Sequence, residues 1–403
     1  MPHSNHSIDL ATTHPMQVAA MELHTDVEQT SSVTFSAPLL NAIQHAVVWG
    51  QKSNLMGLPT DCPQRDERKG WMGDAALSAE EATFNFDMGA LYSRWVEDMV
   101  DDQRPDGAVP DIVPAHGWWL RDGAPSYQTA FPTVTWTLTQ YHGDRDGVVL
   151  RQHQNLVRYY ENFLGILNKT GLKNFPSNYG DWEPPACKGS TDPTSCKISG
   201  PLVGAFSFMH DLSMGVQLFR ASAHPDGPKW SARCAATLLE LTPKFHTAFY
   251  NASIGLYGLG RQTEQALPLF LGLVPPELKP KVLAATIEDI VQTEARHTTS
   301  GILGIKFMLE ALAQEGRGDV AVDMLMQNTF PSYGYMIKGG EHGFEPATTL
   351  WELWDSDTNG PNMCGAFTFD VILDHFSRGF QLYCLPCTRA VCGRYEVWKN
   401  GSF

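Results

Sequence analysis

The sequence lacks any run of about 18 apolar residues, so no segment is predicted to span a bilayer. The amino-terminal stretch MPHSNHSIDLATTHPMQ has no apolar run of the roughly 7–15 residues that a signal peptide needs, and we expect a polar lead-in over residues 1–30.

Positive charge is also scarce, because 29 Lys and Arg stand against 44 Asp and Glu, a net charge of −15. Such a chain repels phosphates, which argues against nucleic acid or an anionic membrane as partner. We expect a cytoplasmic protein, or a secreted one if an upstream region is missing.

Metal-binding patterns are equally scarce. The pair Cys384 and Cys387 looks like half of a zinc site, but no second Cys/His pair follows at a usual spacing. A compositional accident is the favoured interpretation, and we expect neither a metal nor an organic cofactor. Cys187 and Cys196 bracket the polar stretch KGSTDPTS, which a disulfide between them would close in an oxidising compartment.

Strand-like alternation is rare, whereas helical periodicity is frequent. Leu91, Trp95 and Met99 follow the i, i+4, i+8 spacing of one helix face, and similar stripes recur along the chain. The loops between these segments differ in kind: some are short, and others are long and rich in aromatic, Gly, Pro and acidic residues. Long loops gathered at one end of a ring of helical hairpins would build a pocket there. The sequence therefore predicts an all-α fold, an (α/α)6 toroid or barrel.

The stretch PTDCPQRDERKGWMGDAA, residues 59–76, concentrates ionisable groups between hydrophobic segments. A solvated loop with local salt bridges is the simplest interpretation. Against it, the Cys, Pro, Gly and Trp residues of the stretch favour a compact backbone with an aromatic wall. A carboxyl beside Trp71 in a water-poor pocket would have a raised pKa, while neighbouring arginines would keep other acids ionised. This composition favours a catalytic or sugar-binding role.

Two further loops combine acids with Trp. In EPATTLWELWDSDTNG, residues 345–360, Trp351 and Trp354 flank Glu352, and in SNYGDWEPP, Asp181 precedes Trp182. Stacked Trp residues bind the apolar faces of sugar rings, although they are also ordinary core residues, and Trp351 is a candidate sugar-binding residue. Together the three loops indicate a carbohydrate pocket with two carboxylates set across it.

At these motifs the sequence resembles a known family. DCPQRDERKGWMGDA closely resembles the signature of the α-L-rhamnosidases of glycoside hydrolase family 78. YGDW, YGLGRQTEQALPLFLGLVP, HTTSGILGIKFMLEAL, FPSYGYM and ATTLWELWDS resemble the same family, in the same order, between about residues 30 and 363. The resemblance implies an (α/α)6 barrel over residues 31–363 that hydrolyses terminal α-linked L-rhamnose with inversion. The implied partner is a rhamnose-containing glycoside or oligosaccharide.

Carried over by position, the resemblance implies that Glu67 is the general acid and Glu352 the general base. The other positions that it assigns to the sugar pocket are Asp61, Arg65 and Asp74 for the hydroxyls, Trp71 and Trp182 for the wall, and Asp181 and His297 for the lining. Inversion needs a protonated carboxyl at the glycosidic oxygen and an ionised one on the opposite face, about 6.5–9.5 Å apart. We expect the raised pKa on Glu67, beside Trp71, and an ionised Glu352.

The sequence departs from the family after the second acid. No Asn-His pair follows, His375 comes a helical turn or more too late to replace it, and residues 364–403 form an atypical tail with four cysteines. We also expect this chain to lack the family's flanking β-domains. The alternative hypothesis is therefore a truncated, inactive or rhamnose-binding homologue without the closing helix.

A third hypothesis, another inverting glycosidase or a lyase in the same barrel, is less favoured, since a lyase would need a Tyr/His pair. Tyr127 stands where the family more often has Trp.

Overall fold

Helices dominate the computed structural model, which describes residues 19–115, 124–143, 145–186, 196, 198–340, 346–359 and 394–397. In chain order the elements are β1 (Ser31–Thr34), α1 (Pro38–Asn54), α2 (Met72–Asn85), α3 (Gly89–Asp101), α4 (Pro125–Gln128), α5 (Ala130–Tyr141), α6 (Leu150–Thr170), α7 (Gly200–Ala221), α8 (Gly227–Phe249), β2 (Tyr250–Asn251), β3 (Leu256–Tyr257), α9 (Gln262–Phe270), α10 (Lys279–Glu288), α11 (Ile302–Gln314), α12 (Gly318–Leu325), α13 (Tyr333–Ile337), α14 (Ser356–Asn359) and β4 (Arg394–Val397). Within these ranges the strands form only two short antiparallel pairs, β1 with β4 and β2 with β3. The all-α prediction is confirmed.

The longer helices are of two kinds. The inner helices α2, α5, α7, α9 and α11 are buried on nearly all sides, and the outer helices α1, α3, α6, α8 and α10 are buried along one face. In α11 every residue from Ile302 to Leu312 is buried, whereas α3 buries only a stripe that includes Leu91, Trp95 and Met99. A helix that is apolar on most sides belongs in a core, and one with a single apolar stripe belongs on its outside.

The inner helices form a ring. Contacts run from α2 to α5, α5 to α7, α7 to α9, α9 to α11 and from α11 back to α2. Each inner helix follows an outer one in the chain, so successive hairpins line the circumference, as expected for a toroid. The tail predicted at residues 364–403 and the closing helix lie outside the described residues, apart from β4. The predicted boundaries after residues 30 and 363 therefore stay predictions.

The long loops that precede the inner helices meet at one end of the ring. The ring of Trp71, just before α2, contacts that of Tyr127 in α4, and the Tyr179 hydroxyl donates to Asp111. The indole N–H of Trp182 reaches the loop before α14. As the sequence predicts, the loops rich in acids and aromatics gather where the inner helices begin.

Asp181 ties the loop at residues 177–185 to the first turn of α11. Its carboxylate accepts hydrogen bonds from the backbone N–H groups of Gly301, Leu303 and Gly304, at 2.8, 3.2 and 2.9 Å, and from the Thr263 hydroxyl at 2.6 Å. A helix N-terminus offers unpaired N–H groups and a positive dipole end, which one buried carboxylate satisfies here. The next residue in the chain, Trp182, is thereby held at a fixed place.

The cysteines that the structure describes are of two kinds. Cys62 and Cys234 are buried free thiols, and Cys196 is disulfide-bonded. Its predicted partner, Cys187, lies outside the described residues, as do Cys384 and Cys387, so the predicted pairing and the half zinc site stay predictions. Among the described helices, none has both the length and the apolar character that crossing a bilayer would take.

Gly304→Ala tests the contact between Asp181 and α11. A Cβ there would lie 2.0 Å from Thr263 Oγ1 and 2.5 Å from Asp181 Oδ2, so the hydrogen bonds of the carboxylate must shift. We expect a loss of about 2–4 kcal/mol in the free energy of unfolding, measured by urea denaturation. The control is Gly165→Ala in α6, where nothing lies within 4 Å of the added Cβ and a gain of about 0.5–1 kcal/mol is expected. Equal stability of Gly304→Ala and the parent would contradict this role of Asp181.

Candidate active site

Arg65 lies at the centre of the candidate site and contacts three carboxylates. Its Nη2 is 3.0 Å from Asp61 Oδ2 and 3.2 Å from Glu352 Oε2, and its Nε is 2.8 Å from Glu67 Oε2. Asp61 and Glu67 belong to the same loop before α2, but Glu352 comes from a loop 285 positions after Glu67. One guanidinium group thus joins the two glutamates that the sequence predicts as acid and base.

Asp61 fixes the loop that carries Arg65. Its side chain is 2% exposed, and its Oδ1 accepts a hydrogen bond from the backbone N–H of Lys69 at 2.7 Å. Burial raises the pKa of Asp61, while hydrogen bonds from Cys62 and Lys69 and the charge of Arg65 oppose the rise. The carboxylate therefore ties one end of the loop to the other and to its central cation.

Glu67 is bound on both oxygens. Oε2 contacts Arg65, and Oε1 accepts a hydrogen bond from the indole N–H of Trp71 at 2.6 Å. Burial alone would raise the pKa of Glu67, but the hydrogen bonds from Arg65 and Trp71 and the charge of Arg65 outweigh it, so the pKa is lowered. The indole therefore acts as a hydrogen-bond donor to the carboxylate.

Glu352 is the more deeply buried of the two glutamates, with 8% of its side chain exposed against 24% for Glu67. Oε1 accepts a hydrogen bond from Trp182 Nε1 at 2.9 Å, and Oε2 contacts Arg65. Burial raises the pKa of Glu352, and the charge of Arg65 and the hydrogen bonds from Trp182 and Arg65 offset only part of that rise. The expected order of the two pKa values is therefore wrong: Glu352 has the raised pKa and Glu67 the lowered one. The physical reason is that burial outweighs the opposing contacts at Glu352, whereas the hydrogen bonds and the charge of Arg65 outweigh burial at Glu67.

Asp74 lies in the first turn of α2, facing the same group of acids. Burial raises its pKa well above the ordinary value, and the charges of Glu352 and Asp61 add to the rise. Within the described residues no cation is among the groups that shift this pKa, and a buried carboxyl of that kind is a suitable partner for a neutral hydroxyl group.

Four aromatic rings surround the acids. The Trp71 ring meets those of Tyr127 and Tyr179 edge-on, at centroid distances of 5.6 and 6.1 Å. Tyr179 lies 3.9 Å from Tyr127 and 6.2 Å from Trp182. Tyr179 also donates its hydroxyl to the buried Asp111 at 2.8 Å. The sequence contains Tyr179 inside the motif YGDW but assigns it no role, and no pattern there points to Asp111.

Three of the predicted pocket residues are engaged elsewhere. The four hydrogen bonds of Asp181 are all to protein groups at the start of α11 and in α9. The ring of His297 contacts the Glu294 carbonyl through Nδ1 and the Thr329 hydroxyl through Nε2, at 2.9 and 2.8 Å. Trp351 is buried against Tyr335, with a ring distance of 6.3 Å. Direct contact of these three with a sugar stays a prediction, and their described contacts indicate supporting roles.

Asp61, Cys62 and Glu67 place atoms of metal-ligand type within 4.8 Å of one another. Burial, together with the neighbouring Asp61, raises the pKa of Cys62 to about 12, so the thiol is protonated near neutral pH. Arg65 already contacts the carboxylates of both acids. The donor set is therefore better matched to a guanidinium group than to a metal ion.

Comparison with known proteins assigns this architecture to a family. Residues 28–367 match the model of the bacterial α-L-rhamnosidase six-hairpin glycosidase domain. An α-L-rhamnosidase of Streptomyces avermitilis is 31% identical over 341 residues, which are 84% of this chain and 30% of the relative. An α-L-rhamnosidase of Formosa agariphila is 27% identical over 336 residues, 83% of this chain and 34% of the relative. The chain thus spans about a third of the length of these relatives.

Solved structures agree with the sequence relatives. The α-L-rhamnosidase of Dictyoglumus thermophilum superposes with a TM-score of 0.77 at 34% identity, covering 88% of this chain and 38% of that one. The Streptomyces avermitilis enzyme, solved as a complex with L-rhamnose, gives a TM-score of 0.75 at 27% identity, covering 87% and 32%. The resemblance seen in the sequence motifs is confirmed: the chain belongs to the family of the bacterial α-L-rhamnosidase six-hairpin glycosidase domain.

Proposed function

We propose that this chain is the catalytic region of an inverting α-L-rhamnosidase, which removes terminal α-linked L-rhamnose from a glycoside or oligosaccharide. Glu67 is the general acid and Glu352 the general base. The observation that carries the proposal is the convergence of these two glutamates, from distant loops, on Arg65. The relatives named as α-L-rhamnosidases, one of them solved with L-rhamnose, support the choice of sugar.

The two carboxyls have different roles in the proposed reaction, because each contacts a different part of the substrate. Glu67 donates its proton to the glycosidic oxygen, and the aglycone leaves on that side. Glu67 also borders a cavity of about 330 Å³, lined on its apolar side by Leu58, Ile112 and Pro114, which offers room for a leaving group. Glu352 accepts a proton from the water that attacks the anomeric carbon from the opposite face. The product has the inverted anomeric configuration.

In the structure the pKa of Glu67 is lowered and the pKa of Glu352 is raised, whereas the proposed general acid needs the raised value. The proposed roles therefore require a change when the sugar binds. Arg65 is the group that can bring about the change at Glu67, because it contacts both glutamates and can exchange its contact with Glu67 for sugar hydroxyls while it keeps its contact with Glu352. The loss of the Glu67 contact raises the pKa of Glu67, because burial is then opposed mainly by the Trp71 hydrogen bond, and the rise favours uptake of the proton that Glu67 later donates.

Leaving-group dependence tests the two roles separately. Glu67→Gln should lose about a hundredfold to ten-thousandfold of kcat/KM on methyl α-L-rhamnopyranoside, but little on the 2,4-dinitrophenyl glycoside, whose leaving group needs no proton. Glu352→Gln should lose activity on both, because water activation is needed for both. The matched control is Glu161→Gln, which removes an exposed ion pair between Glu161 on α6 and Arg233 on α8.

Two outcomes would contradict the assignment. Equal losses of Glu67→Gln on both glycosides would remove it from the role of general acid. A folded parent that binds L-rhamnose in calorimetry without turnover would favour the rhamnose-binding homologue instead.

Arg65→Gln tests the control of Glu67 by its cation, through the pH dependence of stability. In the parent, the lowered pKa of Glu67 stabilises the native state above the unfolded pKa, and this contribution is lost as pH falls through the folded value. Without Arg65, the largest cause that lowers the folded pKa is removed, so the folded pKa rises and this contribution to stability decreases. The stability deficit of Arg65→Gln in urea denaturation should therefore grow between about pH 4 and pH 7.

The matched control is Arg94→Gln, which removes an exposed i, i+4 pair with Asp98 on α3. Its deficit should be small, about 0.5 kcal/mol or less. If the Arg65→Gln deficit were independent of pH, Arg65 would not govern the protonation of Glu67.

A further inference from the structure

The ring of Tyr127 is packed closely between other residues of the site. Its centroid lies 3.9 Å from that of Tyr179, with an angle of 35° between the two rings, and the Trp71 ring meets it edge-on. On the remaining side lies Gly73, where a Cβ would come within 2.8 Å of the Tyr127 ring. The missing side chain of Gly73 lets the phenol lie directly on the first turn of α2, beside Asp74.

Tyr127 lies within the electrostatic reach of the acids of the site. Burial raises the pKa of Tyr127 well above its ordinary value, and the charges of Asp74, Tyr179 and Glu352 add to the rise, in that order. The group therefore stays a neutral O–H donor throughout the working range of pH.

The two stacked tyrosines differ in how their hydroxyls are used. Tyr179 donates to Asp111, but within the described part of the chain no hydrogen bond to the Tyr127 hydroxyl is found. Tyr127 keeps 7% of its surface exposed, and its hydroxyl is not among the fully buried atoms that lack a partner. Because Tyr127 is partly exposed and packs on Gly73, the residue before Asp74, its hydroxyl is a candidate donor to a ligand group.

We propose that Tyr127 is a specificity-determining residue, whose hydroxyl and the Asp74 carboxyl hold one ring hydroxyl of the sugar between them. A sugar hydroxyl is both donor and acceptor, so it donates to Asp74 and accepts from Tyr127. The inference rests on the proposed function for the identity of the sugar. A site built for such a hydroxyl rejects the analogue that lacks it, because its own polar groups are then buried without partners.

The test compares Tyr127→Phe with the parent on p-nitrophenyl α-L-rhamnopyranoside and its 2-, 3- and 4-deoxy derivatives. On the full glycoside the variant should lose about threefold to tenfold in kcat/KM, the size expected for one neutral hydrogen bond. On one of the three deoxy glycosides the loss should vanish, because the bonding partner is already missing. Tyr92→Phe is the matched control, since it removes a buried hydroxyl on α3 for which the described residues offer no hydrogen-bond partner, and it should match the parent on all four.

Affinity for free L-rhamnose gives a readout that needs no turnover, and Tyr127→Phe should raise the Kd about threefold to tenfold. If the parent is active or binds rhamnose and Tyr127→Phe equals it in every assay, this inference is overturned and the proposed function stands. The inference is also overturned if the loss is the same on all three deoxy glycosides. If the parent neither hydrolyses nor binds the sugar, both are overturned.

Discussion

The site depends on one guanidinium group shared by three carboxylates. Arg65 is within 3.2 Å of oxygens of Asp61, Glu67 and Glu352. Three acids brought this close would repel one another and resist burial without a central cation. With Arg65 in place, the loop before α2 and the loop before α14 are held together, and the two glutamates face a common space. The same contact lowers the pKa of Glu67.

The toroid supplies the positions that this cluster needs. Because the inner helices begin at one end of the ring, the loops that precede them meet there and surround the acids. Asp181 shows how this placement is fixed: its carboxylate accepts hydrogen bonds from backbone N–H groups at the start of α11, and the adjacent Trp182 then reaches Glu352 with its indole N–H. The buried hydrogen bonds of the scaffold thus fix the orientation of a carboxylate proposed for catalysis, and rigid placement is what acid-base chemistry requires.

Much of this was accessible from the sequence. The i, i+4 spacing of Leu91, Trp95 and Met99 correctly marks a buried face of α3, and the loops rich in acids and Trp do converge. The pKa order was wrong because proximity in sequence shows that Trp71 is near Glu67, but not that its N–H donates to the carboxylate. The partners of Asp181 also lie more than 80 positions away, and such tertiary hydrogen bonds leave no local pattern.

The stereochemistry of the first product tests the central claim most directly. A ¹H NMR time course of the hydrolysis of p-nitrophenyl α-L-rhamnopyranoside, recorded before mutarotation, shows which anomer of L-rhamnose is released. If Glu67 and Glu352 act as acid and base on opposite faces of the ring, β-L-rhamnose appears first and the α-anomer follows only by mutarotation. Initial release of α-L-rhamnose would mean a covalent intermediate on one of the carboxylates, and would contradict the proposed division of roles.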